Sequence, residues 1–212
     1  MNFSTDRDLL ALAPDVFNEL PFATQQRLRV EDADLDRTTL TSPTADFAAA
    51  GVGTGSVVLV NATPYEVIAR IDAVTITVSR LRARLDGPAI PGEDGENLTA
   101  IARTLEPQAT LVSAMLLRTL GIDADDPDAE LTEDSVLSLS LMARLEALGT
   151  LEMAYASAAT VAGDNAELRT KAEHFRRRFK QERESASVLI DRNGDGLPDE
   201  RRHLGTLRMD RV

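Results

Sequence analysis

The spacing of apolar residues along the chain changes three times and so predicts an alternation of helical and β-rich segments. Residues 1–25 repeat apolar side chains at helical spacing and predict an N-terminal helical segment. Residues 26–86 predict a small β-rich domain, because short runs of β-branched residues there alternate with turn-forming stretches. The three clearest runs are residues 56–60, 65–71 and 74–81.

Helical spacing returns after a linker over residues 87–97, where Pro, Gly and acidic residues are concentrated. Residues 98–186 predict a helical bundle, and residues 187–212 predict a C-terminal β-hairpin or arm with strands at 187–190 and 203–211. The helices expected in the bundle are 98–105, 108–120, about 132 to 162, and 166–185, the last capped by Asp164. The predicted fold class is α+β: a helical bundle with a long C-terminal helical hairpin, an inserted small antiparallel β-sheet or barrel, and a C-terminal β-hairpin.

Composition and charge exclude several classes of function. The 212 residues carry 35 acidic and 23 basic side chains, a formal net charge of −12, which argues against a surface given over to nucleic-acid binding. The absence of cysteine excludes disulfides, thiolate metal sites and cysteine nucleophiles. The sequence shows neither the pattern of a signal peptide nor an apolar run long enough for a membrane span. We therefore expect a soluble protein with no membrane partner.

Sequence patterns for catalysis are lacking. The two histidines, His174 and His203, are too few and too unsupported by their surroundings for a catalytic triad or a three-ligand zinc site. No G-x-S-x-G, H-E-x-x-H or Walker pattern occurs. The sequence therefore predicts a protein that is not an enzyme and that requires no cofactor.

The sharpest local pattern is the acidic stretch DRNGDGLPD at residues 191–199. Oxygen-bearing side chains at relative positions 1, 3, 5 and 9, with glycine at position 6, match the start of a calcium-binding loop. The candidate ligands are Asp191, Asn193, Asp195 and Asp199. Position 12 is Arg202, where such a loop needs a bidentate Glu, and Glu200 has the wrong spacing to replace it. The alternative is a β-hairpin turn, since Asn-Gly and Asp-Gly are preferred turn dipeptides, and both interpretations stay open.

A basic cluster occupies residues 176–178 of the last predicted helix. Such a cluster is suited to contact DNA or the acidic surface of a neighbouring subunit. The alternative is a solvated helix face, because acidic residues interrupt the basic ones and allow pairing at i,i+4. Apolar residues near the end of the sequence are further candidates for contact with neighbours. The candidate partner-binding residues are Arg176, Arg177, Arg178, Leu204, Leu207 and Met209.

Three segments carry a resemblance to a known family, together with the order of the predicted elements. They are DRDLLALAPDVF at residues 6–17, DFAAAGVGTGSVVLV at residues 46–60, and FRRRFKQERESASVLIDRNGDGLPDE at residues 175–200. Taken together, they resemble the head–tail connector (adaptor) proteins of tailed bacteriophages. The resemblance covers most of the chain.

The resemblance implies a structural virion protein at the head–tail junction, made in the host cytoplasm and without enzymatic activity. In that family a helical bundle, often with a small β-rich part, docks beneath the portal ring. Copies form a ring, commonly of twelve, that continues the DNA channel and receives the tail. The implied partners are the portal protein, tail or tail-terminator proteins, other copies of the chain in a dodecamer, and DNA that passes without sequence readout.

Two other functions stay open. One is a calcium-dependent interaction module organised by the loop at residues 191–199. The other is a minor capsid or tail-completion protein, which differs from a connector only in its place on the particle. The C-terminal arm has few core residues of its own, so we also expect it to dock on a neighbouring subunit.

Overall fold

The computed structural model describes residues 2–20, 22–123, 129–163 and 165–205. The chain forms two compact units. One unit, Thr5–Leu105, is a β-barrel preceded by two short helices. The other unit combines the first four residues with the chain from Glu106 onward and is mainly helical.

The barrel unit begins with helices α1 (Asp6–Leu12) and α2 (Val16–Glu19) and a 3₁₀ turn at Ala23–Gln25. Its strands are β1 (Gln26–Asp36), β2 (Thr39–Thr41), β3 (Val57–Val60), β4 (Thr63–Arg70), β5 (Thr75–Ser79) and β6 (Gly95–Arg103). They close into a barrel in the order β1-β2-β5-β4-β3-β6, and each neighbouring pair is antiparallel. Each of these six strands therefore has a neighbouring strand on both sides.

The barrel interior is filled by aliphatic side chains, because apolar residues point inward at alternate positions along the strands. The last strand, β6, closes the barrel: its Ala100 lies opposite Val30 of β1 on one side and Val60 of β3 on the other. All three side chains are buried. Phe47, in the turn-rich segment between β2 and β3, is also fully buried in this core, and its N–H donates to the Ala73 carbonyl at 2.7 Å.

The second unit contains helices α3 (Glu106–Thr119), α4 (Leu139–Val161) and α5 (Ala166–Ser185), and a 3₁₀ turn at Glu133–Ser135. Strands β7 (Ser187–Ile190) and β8 (Glu200–His203) form an antiparallel pair, so the second strand comes earlier than predicted. Helix α5 has its predicted bounds. Its N-cap is Asn165, whose side chain accepts the N–H groups of Glu167 and Leu168. Asp164, the predicted cap, lies outside the described residues.

The predicted fold class is wrong. The chain is α+β, but the barrel is a closed six-stranded unit and not a small insertion in a helical bundle. The other unit packs three helices with a two-stranded sheet, which a long helical hairpin does not describe.

The error arose at residues 95–105, which were predicted as the end of a linker and a short helix. Leu98, Ala100 and Ala102 follow the period of two that a strand requires, while the alanines favour a helix by propensity. Pairing with β1 and β3 decides between the two, because it buries Ala100 and Ala102 in a narrow barrel. Those partner strands are distant in sequence, so the local pattern of residues 95–105 does not indicate that they pair with this segment.

Helix α4 is the centre of the helical unit, and residues 145–151 within it are all buried. Helices α3 and α5 both pack on α4. On the α5 side, the rings of Tyr155 and Phe175 stack with their centroids 5.7 Å apart. Gly149 permits a close approach of both helices: a Cβ atom there would lie 2.7 Å from Val112 Cγ1 of α3 and 3.4 Å from the ring of Phe179 of α5.

We expect Gly149→Ala to destabilise the helical unit by about 1–2 kcal/mol. The added methyl overpacks the contact with the stiff side chain of Val112, at a cost of up to about 3 kcal/mol, and alanine in a helix interior offsets about 1 kcal/mol of this cost. Thermal unfolding followed by helical circular dichroism measures the change. Ser140→Ala, at an exposed position of the same helix, is the control and should leave the midpoint almost unchanged. A Gly149→Ala protein as stable as the original would contradict the packing.

Glu146 holds the start of the chain in the helical unit. It is fully buried in α4, and its carboxylate accepts the N–H of Phe3 at 3.0 Å and of Ser4 at 2.8 Å. The Ser4 hydroxyl donates to the same carboxylate at 2.6 Å. Burial raises the pKa of Glu146, although these hydrogen bonds counteract part of the effect. A side chain near the middle of the sequence therefore anchors residues 3 and 4.

Candidate functional site

The acidic turn at residues 191–199 connects β7 to β8. Two backbone bonds fix its ends: the N–H of Asp191 donates to the Ser135 carbonyl at 2.8 Å, and the N–H of Asp199 donates to the Ile190 carbonyl at 2.9 Å. Gly194 and Gly196 have φ angles of +76° and +81°, a region that favours glycine. The turn therefore has a defined conformation that its sequence supports.

Asp191 organises this turn. The residue is 6% exposed, and one carboxylate oxygen accepts the N–H groups of Asn193 at 3.1 Å and Gly194 at 2.7 Å. The other oxygen accepts the N–H of Gly196 at 2.7 Å. These bonds, with that of Gly196 contributing most, hold the pKa of the Asp191 carboxyl below its ordinary value. Asp191 is therefore a carboxylate that folds the turn around itself.

The other three candidate ligands also bond to the backbone of the turn. Asn193 Oδ1 accepts the N–H of Asp195 at 3.0 Å, and Asp195 Oδ1 accepts the N–H of Leu197 at 2.8 Å. Asp199 Oδ2 accepts the N–H of Arg192 at 2.8 Å. Within the described parts of the chain, no group of three or more His, Cys, Asp or Glu side chains is arranged to hold a metal ion. Calcium binding at this turn stays a prediction.

Position 12 of the calcium pattern has a different role. Arg202 forms a bidentate pair with Glu200, with both N···O distances at 2.9 Å, and also donates to the Leu120 carbonyl just after α3. A cation at the C-terminal end of a helix is favourable, because the last carbonyls there have no partner within the helix. The bond from Arg202 lowers the pKa of Glu200. Arg202 therefore links β8 to the end of α3.

We expect Asp191→Ala to loosen the turn, because three backbone N–H groups lose their acceptor together. The amide protons of Asn193, Gly194 and Gly196 should exchange with solvent at least about tenfold faster. Hydrogen exchange of the full chain, followed by nuclear magnetic resonance, measures this. Asp195→Ala is the control, since it removes only the acceptor for Leu197. Unchanged exchange at Gly194 and Gly196 in Asp191→Ala would show that Asp191 does not organise the turn.

Calorimetric titration with calcium separates the two interpretations of the turn. Micromolar affinity that disappears in Asp191→Ala would favour the calcium module, since that variant lacks the position-1 ligand. Millimolar affinity or none would favour a turn held by its own hydrogen bonds.

The basic cluster lies on α5 among acidic side chains of the same unit. Arg176 is 65% exposed and lies 3.4 Å from Glu173 and 3.8 Å from Glu152 of α4. Arg177 is exposed, and its Nε donates to the Glu173 carbonyl at 3.4 Å. These are surface contacts, which contribute little to stability. The outer face of α5 thus carries charges of both signs.

Arg178 is half-buried beside a stronger ion pair. Arg144 of α4 binds Glu182 of α5 through two bonds of 2.5 and 2.9 Å. The pKa of Glu182 is lowered chiefly by these bonds and to a smaller extent by the charge of Arg178. The arrangement agrees with a solvated, paired helix face, and a role for residues 176–178 in partner binding stays a prediction.

The three apolar partner candidates differ in their placement. Leu204 is only 2% exposed, and its N–H donates to the Ala186 carbonyl at 3.2 Å. It therefore belongs to the core of its own unit and is not free to contact a neighbour, which corrects its predicted role. Leu207 and Met209 lie outside the described residues.

Sequence reasoning missed a buried ionic cluster in the barrel unit. Glu66 of β4 is 1% exposed, and its two oxygens lie 2.7 Å from Nε of Arg7 and Nε of Arg82. The N–H of Arg82 adds a third bond of 2.9 Å, and Arg7 Nη2 donates to the Arg82 carbonyl at 2.8 Å. The one sequence feature that could have indicated this cluster is Glu66 itself, a single glutamate inside an otherwise apolar run of strand residues.

Asp6 lies in the first turn of α1. It is buried, and its Oδ1 accepts the N–H of Leu105, just after β6, at 2.9 Å. Burial raises the pKa of the Asp6 carboxyl to about 6, against lowering effects from Leu105, Thr104 and Arg27. Asp6 therefore joins the start of the barrel unit to its end.

No protein-family model, curated protein or solved structure matches the chain. Among the described residues, no helix is both long enough and apolar enough to cross a membrane. The resemblance to phage connector proteins therefore stays a prediction from the sequence.

Proposed function

We propose that the chain is a structural protein of a tailed bacteriophage: a head–tail connector that forms a ring beneath the portal, continues the DNA channel and receives the tail. The resemblance of three sequence segments to connector proteins supports the proposal. The structural observation that carries it is the outer face of α5, which presents charges of both signs on a well-anchored helix.

Helix α5 is anchored through its inner face and charged on its outer face. Its buried residues are Ala172, Phe175 and Phe179. On the outer face, Arg176 and Lys180 are 65% and 69% exposed, and Glu184 is 51% exposed. A rigid helix with a fixed pattern of charge is suited to dock against a protein with the opposite pattern, because complementary charges set both orientation and register. Portal and tail proteins would be such partners.

Each of the three resembling segments has a definite role in the fold. Residues 6–17 supply Asp6 and Arg7, which bond to other parts of the barrel unit. Residues 46–60 supply the buried Phe47 and strand β3. Residues 175–200 supply most of the outer face of α5, strand β7 and the acidic turn. The segments that resemble connector proteins therefore contain residues that stabilise the fold of this chain.

The charge of the chain is also suited to a conduit for DNA. A formal net charge of −12 repels the phosphate backbone where acidic side chains face it. Repulsion lets DNA pass without the tight phosphate contacts that basic proteins make.

Binding to the portal protein of the same virus tests the proposal. Purified portal rings should carry the chain with them during sedimentation. Reversing two charges on α5, Arg176→Glu with Arg177→Glu, should reduce the bound fraction at least about tenfold, because like charges would then face each other.

The matched control reverses two exposed charges of the barrel unit, Arg29→Glu with Arg84→Glu, and leaves binding nearly unchanged. Absence of binding by the original chain, or equal losses in both double variants, would count against docking through α5.

A further inference from the structure

The helical unit contains an open groove with a volume of about 340 Å³. Its apolar lining includes Phe3, Val136, Leu137 and Leu139, and Leu139 is 59% exposed. The acidic residues Glu133 and Asp134 line the same groove. An exposed apolar surface beside carboxylates is typical of a site that another polypeptide covers.

The groove lies beside one edge of strand β7. Val136 forms an antiparallel bridge to Ile190, and the N–H of Leu137 donates to the Leu189 carbonyl at 3.0 Å. Strand β8 pairs with the opposite edge of β7, and the described chain ends at Gly205, two residues after β8. Strand β8 and the groove are therefore at opposite edges of β7.

Residues 206–212 have the chemistry that the groove would bind. Their sequence is Thr-Leu-Arg-Met-Asp-Arg-Val. In an extended segment Leu207, Met209 and Arg211 share one face, because side chains alternate along the backbone. Two apolar side chains followed by a guanidinium group match an apolar groove that also contains two carboxylates.

We propose that residues 206–212 of one copy of the chain dock in this groove of a neighbouring copy. Leu207 and Met209 bind beside Leu137 and Leu139, and Arg211 pairs with the carboxylates of Glu133 and Asp134. Because β8, which precedes the donor segment, and the groove are at opposite edges of β7, we place the segment in the groove of a neighbouring copy and not in its own. Such head-to-tail contacts generate a ring when the rotation between copies closes. This docking contact would join the copies of a connector ring, and that role depends on the proposed function being correct.

Cross-linking between introduced cysteines tests the contact directly, since the natural chain has none. One chain carries Leu139→Cys, a second carries Met209→Cys, and the mixture is treated with a short bis-maleimide. We expect a product containing one chain of each kind. The yield should be at least about tenfold higher than with Val161→Cys in place of Leu139→Cys. Val161 is the matched control because it is an exposed apolar residue, 76% exposed, at the other end of α4.

A chain that carries both Leu139→Cys and Met209→Cys distinguishes docking between copies from docking within one copy. A product within single chains, at a yield independent of protein concentration, would overturn the proposal. Equal yields with Val161→Cys and Leu139→Cys would overturn it as well. The readout needs no virus, so it is independent of the connector function. If the chains cross-link but do not bind the portal protein, only the connector function is rejected. If they bind the portal protein but do not cross-link, only the docking of residues 206–212 in the groove is rejected.

Discussion

Replacing Glu66 by glutamine is expected to lower the free energy of unfolding of the barrel unit by about 3–5 kcal/mol, because two buried guanidinium groups then lose the carboxylate that both of them bind. Glu66 is 1% exposed, and the side chains of Arg7 and Arg82 are each 10% exposed. Arg7 keeps one further carboxylate, that of Asp8, at 3.5 Å. Glutamine keeps the shape of the side chain, but it removes the charge and turns one acceptor oxygen into a donor facing a guanidinium group. The loss therefore measures lost charge and hydrogen bonding and not a cavity.

Tyrosine fluorescence during urea unfolding measures this loss in the barrel unit. The chain has two tyrosines and no tryptophan, and Tyr65 belongs to the barrel unit while Tyr155 belongs to the helical unit. In a Tyr155→Phe background, Tyr65 is the only reporter. Glu31→Gln is the control, because the Arg29–Glu31 pair is 52% and 70% exposed and should contribute less than about 0.5 kcal/mol. A similar small loss for Glu66→Gln would contradict the buried cluster.

The pH-dependence of the Glu66 contribution has a definite sign. Burial alone would raise the pKa of Glu66, but the bonds from Arg82 and Arg7 outweigh burial and hold it below the ordinary value of 4.5. A carboxyl whose pKa is lower in the folded state stabilises the fold above its unfolded pKa. This stabilisation is lost as the pH falls through the folded pKa, so the difference between the original chain and Glu66→Gln should shrink in acid.

Asp6 should produce the opposite pH-dependence. Its pKa is about 6 in the folded barrel unit, against 3.8 in an unfolded chain. The folded state therefore binds a proton more tightly, and stability falls as the pH rises from about 4 to about 6. A difference of about two pKa units corresponds to about 3 kcal/mol at neutral pH. Asp6→Asn removes this titration, and its oxygen still accepts the N–H of Leu105.

The measurement compares the original chain with Asp6→Asn by urea unfolding at several pH values, with Tyr65 as reporter. The variant should gain about 3 kcal/mol relative to the original chain between pH 4 and pH 7. A constant difference for Asp6→Asn would contradict a buried carboxyl with a raised pKa.

Sequence patterns predicted those helices and strands whose start, end and type are determined by residues within the element or next to it. Helix α5 has its predicted bounds because the start and end signals lie within the helix and its adjacent residues. Strand β3 lies within the predicted run at residues 56–60, because four consecutive β-branched or aliphatic residues occur there. Strand β6 was not predictable in this way. Its alternation is weak, and its identity depends on pairing with β1 and β3, both distant in sequence.

The same difference between local and long-range signals applies to the residues of the candidate sites. The hairpin-turn interpretation of residues 191–199 came from turn chemistry within nine residues, and the hydrogen bonds of Asp191 agree with it. The cluster around Glu66 joins residues 7, 66 and 82, and the groove joins residues 2–3 with residues 133–139. No spacing rule connects such positions, because only the folded chain brings them together.

The proposed connector function is tested most directly by electron microscopy of lysates from a tailed bacteriophage whose gene for this chain has been deleted. We expect filled or leaking heads beside complete, unattached tails, with joined particles restored when the chain is supplied from a plasmid. Normal infectious particles in the absence of the chain would contradict it.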